Sequence, residues 1–139
     1  MITHLHSVPV VVSDYDRALE FYRDALGFEV TADVTDPRSA ENRWLTLKPR
    51  AGQTSVMLLK ASPVRPELNS RLGGPTLLVF HTDDLASDCE RIKAKGGQVL
   101  GAPKQAGWGD ALEVHVSDPD KNVFLLIQTH QIARDEGRR

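Results

Sequence analysis

Glu113 and His115 stand two residues apart in the C-terminal half of the chain, and both could move a proton. Because side chains alternate across a strand, they share one face of the predicted strand Ala111 to Val116. An imidazole titrates near neutral pH, so His115 could act as a general acid or base beside the Glu113 carboxylate. The alternative is a polar outer face of the strand, or a structural hydrogen-bonded pair. The sequence leaves both alternatives open.

Three further side chains could contact a ligand. His81 lies next to the last residue of the predicted strand Thr76 to Thr82, where its side chain could reach the rim of a cavity. Lys60 ends an earlier strand and could pair with an anionic ligand at the cavity edge. Trp108 lies between two glycines, and its ring could stack on a planar ligand, pack on the core or pack across a dimer interface. Trp44 is expected to pack under the first helix.

The elements that must position these residues are present twice. Val12 to Val30 has the pattern of a strand end, a helix and the next strand. Ser13 or Asp14 can cap the helix and Gly27 can end it. Seventy residues on, Asp84 and Gly97 stand in the places of Asp14 and Gly27. The chain is therefore predicted to be one small unit repeated.

Each unit is predicted to be βαβββ, which gives an α+β fold within a single domain over 1–139. The units cover about 4–60 and 75–130, a linker covers 61–74, and residues 131–139 are predicted to be a frayed tail. Pro9 lies in the first strand and indicates an edge position or a bulge, because proline cannot donate to the ladder.

Composition excludes several classes of function. The net charge is −2 with both signs mixed along the chain, so no basic stripe is available for nucleic acid. No apolar run approaches the roughly 20 residues that span a bilayer, so no membrane partner is expected. The single cysteine, Cys89, excludes an internal disulfide and is expected in the core. A cytoplasmic protein is predicted.

The paired βαβββ pattern, the helix entry Val-Ser-Asp-Tyr-Asp-Arg-Ala-Leu-Glu-Phe-Tyr at 12–22, Trp108-Gly109 and Asp118-Pro119-Asp120 together resemble the vicinal-oxygen-chelate superfamily. This superfamily contains glyoxalase I, extradiol dioxygenases and bleomycin-resistance proteins. The resemblance covers about 5–128 and implies cupped mixed sheets and a homodimer. Relatives usually have glycine at the place of Lys121, so this turn is expected to strain a lysine or to adopt another geometry.

The resemblance also implies four metal-ligand positions, on strands 1, 4, 5 and 8. Counted from the motifs, these are Ser7, Leu58, Leu77 and Leu125. Leucine offers no donor to a divalent ion, so neither a metal nor another cofactor is expected. His6 is one residue from Ser7, but a one-residue offset points its side chain to the opposite face.

In fosfomycin-modifying relatives, the positions of Glu113 and His115 contact substrate. The predicted cavity is therefore an apolar cup that also holds these two polar groups; its lining is Ser7, Leu58, Leu77, Val79, Leu125 and Ile127. The first hypothesis is a metal-independent protein that binds a small apolar or aromatic molecule, for sequestration or sensing. One alternative is a metal-free lyase, isomerase or hydrolase that uses His115 and Glu113. Another is a metalloenzyme with displaced ligands from His6, His81, Glu113 and His115.

Overall fold

The computed structural model describes residues 1–129. The predicted tail at 131–139 lies outside them. The elements confirm the α+β class and the repeated βαβββ order. The strands are β1 Ser7–Val12, β2 Glu29–Asp36, β3 Ser39–Lys48, β4 Ser55–Lys60, β5 Gly74–His81, β6 Gln98–Gln105, β7 Ala111–Ser117 and β8 Asn122–Thr129. The helices are α1 Tyr15–Glu20, which continues as a π-helical turn over Phe21–Ala25, α2 Pro66–Asn69 in the linker, and α3 Leu85–Ala94.

The strands form two mixed four-stranded sheets. The first has the order β1-β4-β3-β2 and the second β5-β8-β7-β6. The edge strands β1 and β5 run parallel to their neighbours β4 and β8, and the remaining strand pairs are antiparallel. Pro9 lies in edge strand β1, as predicted, and Pro75 lies in edge strand β5. Each edge strand therefore tolerates a residue that has no N–H to donate.

Local side chains fix where the two longer helices begin. Asp14 accepts a hydrogen bond from the backbone amide of Arg17 at 2.8 Å. Asp84 accepts one from the amide of Ser87 at 3.2 Å. These are N-caps that satisfy amides left free in the first turn. The predicted helix starts are confirmed.

The glycine that ends the helix stands one residue earlier in the second unit than the seventy-residue repeat predicts. Gly27 has φ +72°, as a helix-ending glycine should, whereas in the second unit Gly96 rather than Gly97 takes the positive φ, at +92°. The π-helical turn Phe21–Ala25 explains the offset, because a π turn holds one more residue than an α turn. Gly97 serves close packing instead: a Cβ there would meet the Ser117 carbonyl oxygen at 2.5 Å.

Aromatic rings from both units form one shared core. The Tyr22 and Phe28 centroids lie 6.1 Å apart, Phe28 and Phe80 are 5.4 Å apart, and Phe80 and Phe124 are 5.3 Å apart. Cys89 is buried in the same cluster, as expected, and burial raises the pKa of its thiol. The two units therefore stabilise each other.

The Asp118-Pro119-Asp120 turn joins the units through hydrogen bonds. The hydroxyl of Tyr22 donates to Asp118 Oδ2 at 2.9 Å, and the amide of Ser13 donates to Asp120 Oδ2 at 3.0 Å. The side-chain nitrogen of Asn122 donates to a backbone carbonyl of β1 at 2.8 Å. The Asp118-Pro119-Asp120 turn, one of the motifs that carried the resemblance, thus holds the two units together. Within 1–129, no helix combines the length and apolar character needed to cross a membrane.

Candidate functional site

The second sheet has a face turned away from the helices, here called the second open face. Its first row crosses all four strands, with Val79 beside Leu125, Leu125 beside His115, and His115 beside Leu100. Phe124 and Leu126 point to the opposite face and into the core. Alternation along β8 therefore places Leu125 outside the core and next to His115.

A second row lies beside the first on the same face. His81 is paired with Ile127, Ile127 with Glu113, and Glu113 with Lys104. The register brings together six residues of the second unit that were expected at the lining or rim of the cup: Val79, His81, Glu113, His115, Leu125 and Ile127. Leu77, also expected in the lining, falls in a register break of β5 and belongs to neither row. Leu100 and Lys104 on β6 complete the two rows, and the sequence analysis did not select either of them.

A hollow of about 190 Å³ opens on this face, lined by Leu77, Val79, His115 and Leu125 among others. Leu77 is 88% exposed and has φ +64°, an unusual conformation for a bulky side chain. Val79 is 55% exposed. Apolar side chains this exposed on neighbouring positions mark a surface that gains stability when something covers it.

The polar groups of this face differ in how they are satisfied. His81 Nε2 lies 3.1 Å from Thr129 Oγ1, within hydrogen-bond distance. For Glu113 and His115, no hydrogen bond or ion pair of the side chain occurs within residues 1–129. Both groups are therefore available to a bound molecule, next to an apolar floor.

On the first sheet the expected position of Leu58 is wrong. Leu58 is fully buried in the core, because it occupies the place that Leu126 has in the second sheet. The repeat mate of Leu125 is Met57, one residue earlier. The loop from β3 to β4 is longer than the turn from β7 to β8, and counting along the chain cannot detect that shift.

Lys60 shares the side of β4 with Leu58, so it too lies on the helix face and not in a cup. Its Nζ forms an ion pair with Glu41 Oε1 at 3.0 Å. The Glu41 carboxylate raises the pKa of Lys60. The expected role of Lys60 at the cavity edge is therefore not supported by its position.

The first sheet has its own open face, defined by Ser7, Pro9 and Val11 of β1, Met57 and Leu59 of β4, and Trp44 and Thr46 of β3. Ser7 lies there, as expected. Trp44 was expected under α1, but its ring lies on this open face and is 47% exposed. Its neighbour Arg43 takes the helix face, where it pairs with Asp33 and Asp16, each at 2.8 Å.

Trp108 lies at the turn between β6 and β7 and is 62% exposed. Gln105 donates a hydrogen bond to the carbonyl of Gly109 at 3.1 Å, which closes this turn. Trp108 is not part of the lining of the hollow. Its ring is free to stack on a molecule that approaches from outside.

The positions that carry metal ligands in relatives do not fit a divalent ion here. With the corrected register they hold Ser7, Met57, Leu77 and Leu125, which offer one hydroxyl and one thioether. Divalent ions need several nitrogen, oxygen or thiolate donors. Over residues 1–129 no group of three or more His, Cys, Asp or Glu side chains is arranged to hold an ion.

The family model described as the Glyoxalase/Bleomycin resistance protein/Dioxygenase superfamily matches residues 2–126. The chain belongs to this superfamily. Solved members share its two-sheet architecture; one from Sphaerobacter thermophilus is 32% identical, with a TM-score of 0.75 over 91% of this chain and 98% of that one.

Two other proteins are similar to this chain over most of its length. TnmS3, an antibiotic binding protein from Streptomyces sp. CB03234, is 34% identical, with a TM-score of 0.72 over 92% of this chain and 97% of its own. The uncharacterized protein YetH from Bacillus subtilis is 30% identical, over 91% of this chain and 98% of its own length. The match therefore covers whole chains and not a shared fragment.

Proposed function

We propose that this protein binds a small apolar or aromatic molecule on the second open face, to sequester or sense it. The observation that carries the proposal is the hollow lined by Leu77, Val79, His115 and Leu125. An apolar floor with a few polar groups is the general form of a small-molecule site. The likeness to TnmS3, an antibiotic binding protein, supports small-molecule binding.

The driving force is burial of the exposed leucine and valine surface. Each Å² of apolar area removed from water contributes about 25 cal/mol, so covering one exposed leucine side chain contributes about 1.5–3 kcal/mol. His115 and Glu113 supply a donor and an acceptor that fix the orientation of the bound molecule. We infer that affinity comes from the floor and selectivity from these two groups.

We also propose a homodimer in which a second copy covers part of the open faces. A hollow of 190 Å³ is small for a drug-sized molecule, and exposed apolar side chains occur on both sheets. A second copy would add Trp44 and its neighbours as a further wall. A cytoplasmic location is proposed with it, because the one cysteine is buried and forms no disulfide.

A binding screen with a matched variant tests the proposal. Apolar and polycyclic aromatic antibiotics would be ranked by thermal shift, and the best compound measured by titration calorimetry on wild type, Leu125→Gln and Val64→Gln. Val64 is an exposed linker residue outside the hollow. We expect Leu125→Gln to weaken binding about tenfold or more, Val64→Gln to leave it unchanged, and the compound to be recovered intact. Equal affinity in all three proteins would refute the site.

A metal-free lyase, isomerase or hydrolase is the second candidate. It is favoured by one observation: His115 lines the hollow, Glu113 shares its face of β7, and within residues 1–129 neither side chain has a partner. On this view His115→Gln would keep the affinity for the compound and lower turnover by about a hundredfold or more. Recovery of unchanged compound from wild type after long incubation would rule this candidate out in favour of sequestration.

A further inference from the structure

A larger cavity lies away from the hollow, where the linker passes over the edge strand of the first sheet. It has a volume of about 580 Å³, within the range of small-molecule sites. Its apolar walls come from three elements: Val11 on β1, Leu59 on β4 and Leu68 on α2. Pro75, at the start of β5, lines both this cavity and the hollow. The cavity is therefore a second concave surface, with apolar walls and several polar side chains.

The polar side chains in this cavity are satisfied, with one exception. Ser70 and Thr76 donate their hydroxyls to backbone carbonyls at 3.2 Å and 2.8 Å. The Asn122 side-chain oxygen accepts the amide of Gly73 at 2.9 Å. The guanidinium of Arg71 has neither a hydrogen bond nor an ion pair with any residue of 1–129. The cavity thus combines apolar walls with an uncompensated positive charge.

We propose that this linker cavity binds an apolar carboxylate, with its hydrocarbon or aromatic body against Val11, Leu59 and Leu68 and its carboxylate on Arg71. The planar guanidinium matches a carboxylate in two parallel hydrogen bonds, which are stronger than bonds between neutral groups. Neutral acceptors would gain less from the same contact. The cavity therefore selects for one negative charge at one end of an apolar molecule.

This site is distinct from the one proposed for the hollow. The hollow offers His115 as its polar group and has no arginine in its lining, whereas the linker cavity offers Arg71 and has no histidine. Arg71 lines only the linker cavity and Leu125 only the hollow, so a variant of either residue should leave the other site intact. The two proposals can therefore fail separately.

The test uses two matched probes, pyrene-1-carboxylate and the uncharged pyrene-1-carboxamide. Titration calorimetry would give the affinity and stoichiometry of each for wild type, Arg71→Gln and Arg65→Gln. Arg65 is an arginine of the same linker that does not line this cavity, so it is the control for loss of a positive charge. We expect wild type and Arg65→Gln to bind the carboxylate about tenfold more tightly than the carboxamide. Arg71→Gln should lose that preference and keep its affinity for the carboxamide.

Three outcomes would overturn the proposal: an unchanged preference in Arg71→Gln, an equal loss in Arg65→Gln, or no binding of either probe to wild type. Leu125→Gln separates the two sites, because it lies in the hollow and outside the linker cavity. If Leu125→Gln, and not Arg71→Gln, removes the carboxylate preference, the probe occupies the hollow and the linker cavity is not a carboxylate site.

Discussion

The Tyr22 hydroxyl donates a hydrogen bond to the buried carboxylate of Asp118 at 2.9 Å, across 96 residues of sequence. Burial raises the pKa of Tyr22 well above its ordinary value, so the phenol remains a donor. Burial also raises the pKa of Asp118, an effect that outweighs the opposing hydrogen bonds from Asn122 and Tyr22. One bond between the two units is thus coupled to the charge of one carboxyl group.

Tyr22→Phe should destabilise the protein by about 1–3 kcal/mol, because it leaves the buried carboxylate short of a donor. The loss should be larger at pH 7 than at pH 4. The unfolded Asp118 ionises near pH 4, whereas the folded one holds its proton to higher pH, so stability falls as pH rises between the two pKa values. Removing the Tyr22 hydrogen bond raises the pKa of folded Asp118 further, so the variant loses more stability than wild type as the pH rises. Urea unfolding at both pH values measures the difference.

Tyr15→Phe is the control, since the Tyr15 ring is buried but its hydroxyl makes no hydrogen bond within residues 1–129. Its effect on the free energy of unfolding should be small and the same at pH 4 and pH 7. A Tyr22→Phe penalty that does not change with pH would show that Asp118 keeps one charge state over this range.

Gly97→Ala should cost about 2–3 kcal/mol of stability through overpacking. A Cβ at this position would lie 2.5 Å from the Ser117 carbonyl oxygen and 2.8 Å from Phe21 Cε2. The backbone carbonyl cannot rotate away as a side chain could. Gly107→Ala is the matched control, because nothing lies within 4 Å of its Cβ position. Denaturant midpoints of the two variants should differ clearly, and equal midpoints would mean that β7 moves to make room.

Lys121→Gly should raise the free energy of unfolding by about 0.5–1 kcal/mol. Lys121 has φ +66°, which confirms the strained alternative expected from the turn motif. A residue other than glycine in the left-handed conformation costs about 1–2 kcal/mol. Glycine removes this strain, but it loses more conformational entropy on folding, which offsets part of the gain in stability. Lys121→Ala keeps the Cβ and should bring no gain. Thermal unfolding of the two variants compares them directly, and equal gains would point to charge and not to backbone strain.

Leu77→Gly should stabilise the protein and weaken ligand binding at the same time. Its φ of +64° strains a bulky residue, and its side chain is 88% exposed, so little packing is lost on removal. We expect a gain of about 1 kcal/mol in unfolding free energy and a loss of about tenfold in affinity for a ligand of the hollow. Thermal shift without and with ligand measures both effects.

Val64→Gly is the comparison for Leu77→Gly. Val64 is also exposed but has no positive φ, so glycine there should bring no stability and leave affinity unchanged. If Leu77→Gly is stabilising and retains full affinity, the strained leucine has no part in binding.

Trp44→Glu should convert the proposed dimer into monomers. The Trp44 ring is 47% exposed on the first open face, in line with Leu59 and Val11, and a charge there cannot be buried without a partner. Light scattering after gel filtration should give twice the chain mass for wild type and a single chain for the variant. Val64→Glu, on the linker, should remain dimeric. A monomeric wild type at micromolar concentration would contradict the dimer.

The sequence by itself determined the order of elements and both helix starts. These depend on signals within a few residues, such as the Asp14 and Asp84 caps and the alternation in β7 that puts Glu113 and His115 on one side. The same alternation put Leu125 and Ile127 on one side of β8, whereas the pairing of the strands into rows came from the tertiary structure. The repeated pattern, the helix entry at 12–22 and the short motifs, among them the Asp118 turn, together indicated the family whose model matches residues 2–126.

Only the tertiary structure decided the register of the first sheet and the role of the linker. The length of the β3–β4 loop set which residue of β4 faces the open side, and a one-residue shift exchanged Leu58 for Met57. In this register Lys60 lies on the same side of β4 as Leu58, which is the helix face. Trp44 lies on the opposite side of the sheet, which is the open face. Arg71 lies in a stretch without periodicity, so the sequence did not indicate a role for it. Only the tertiary structure places it in a cavity together with residues of β1. Contacts between segments distant in sequence have no local signature, because they depend on how whole sheets pack.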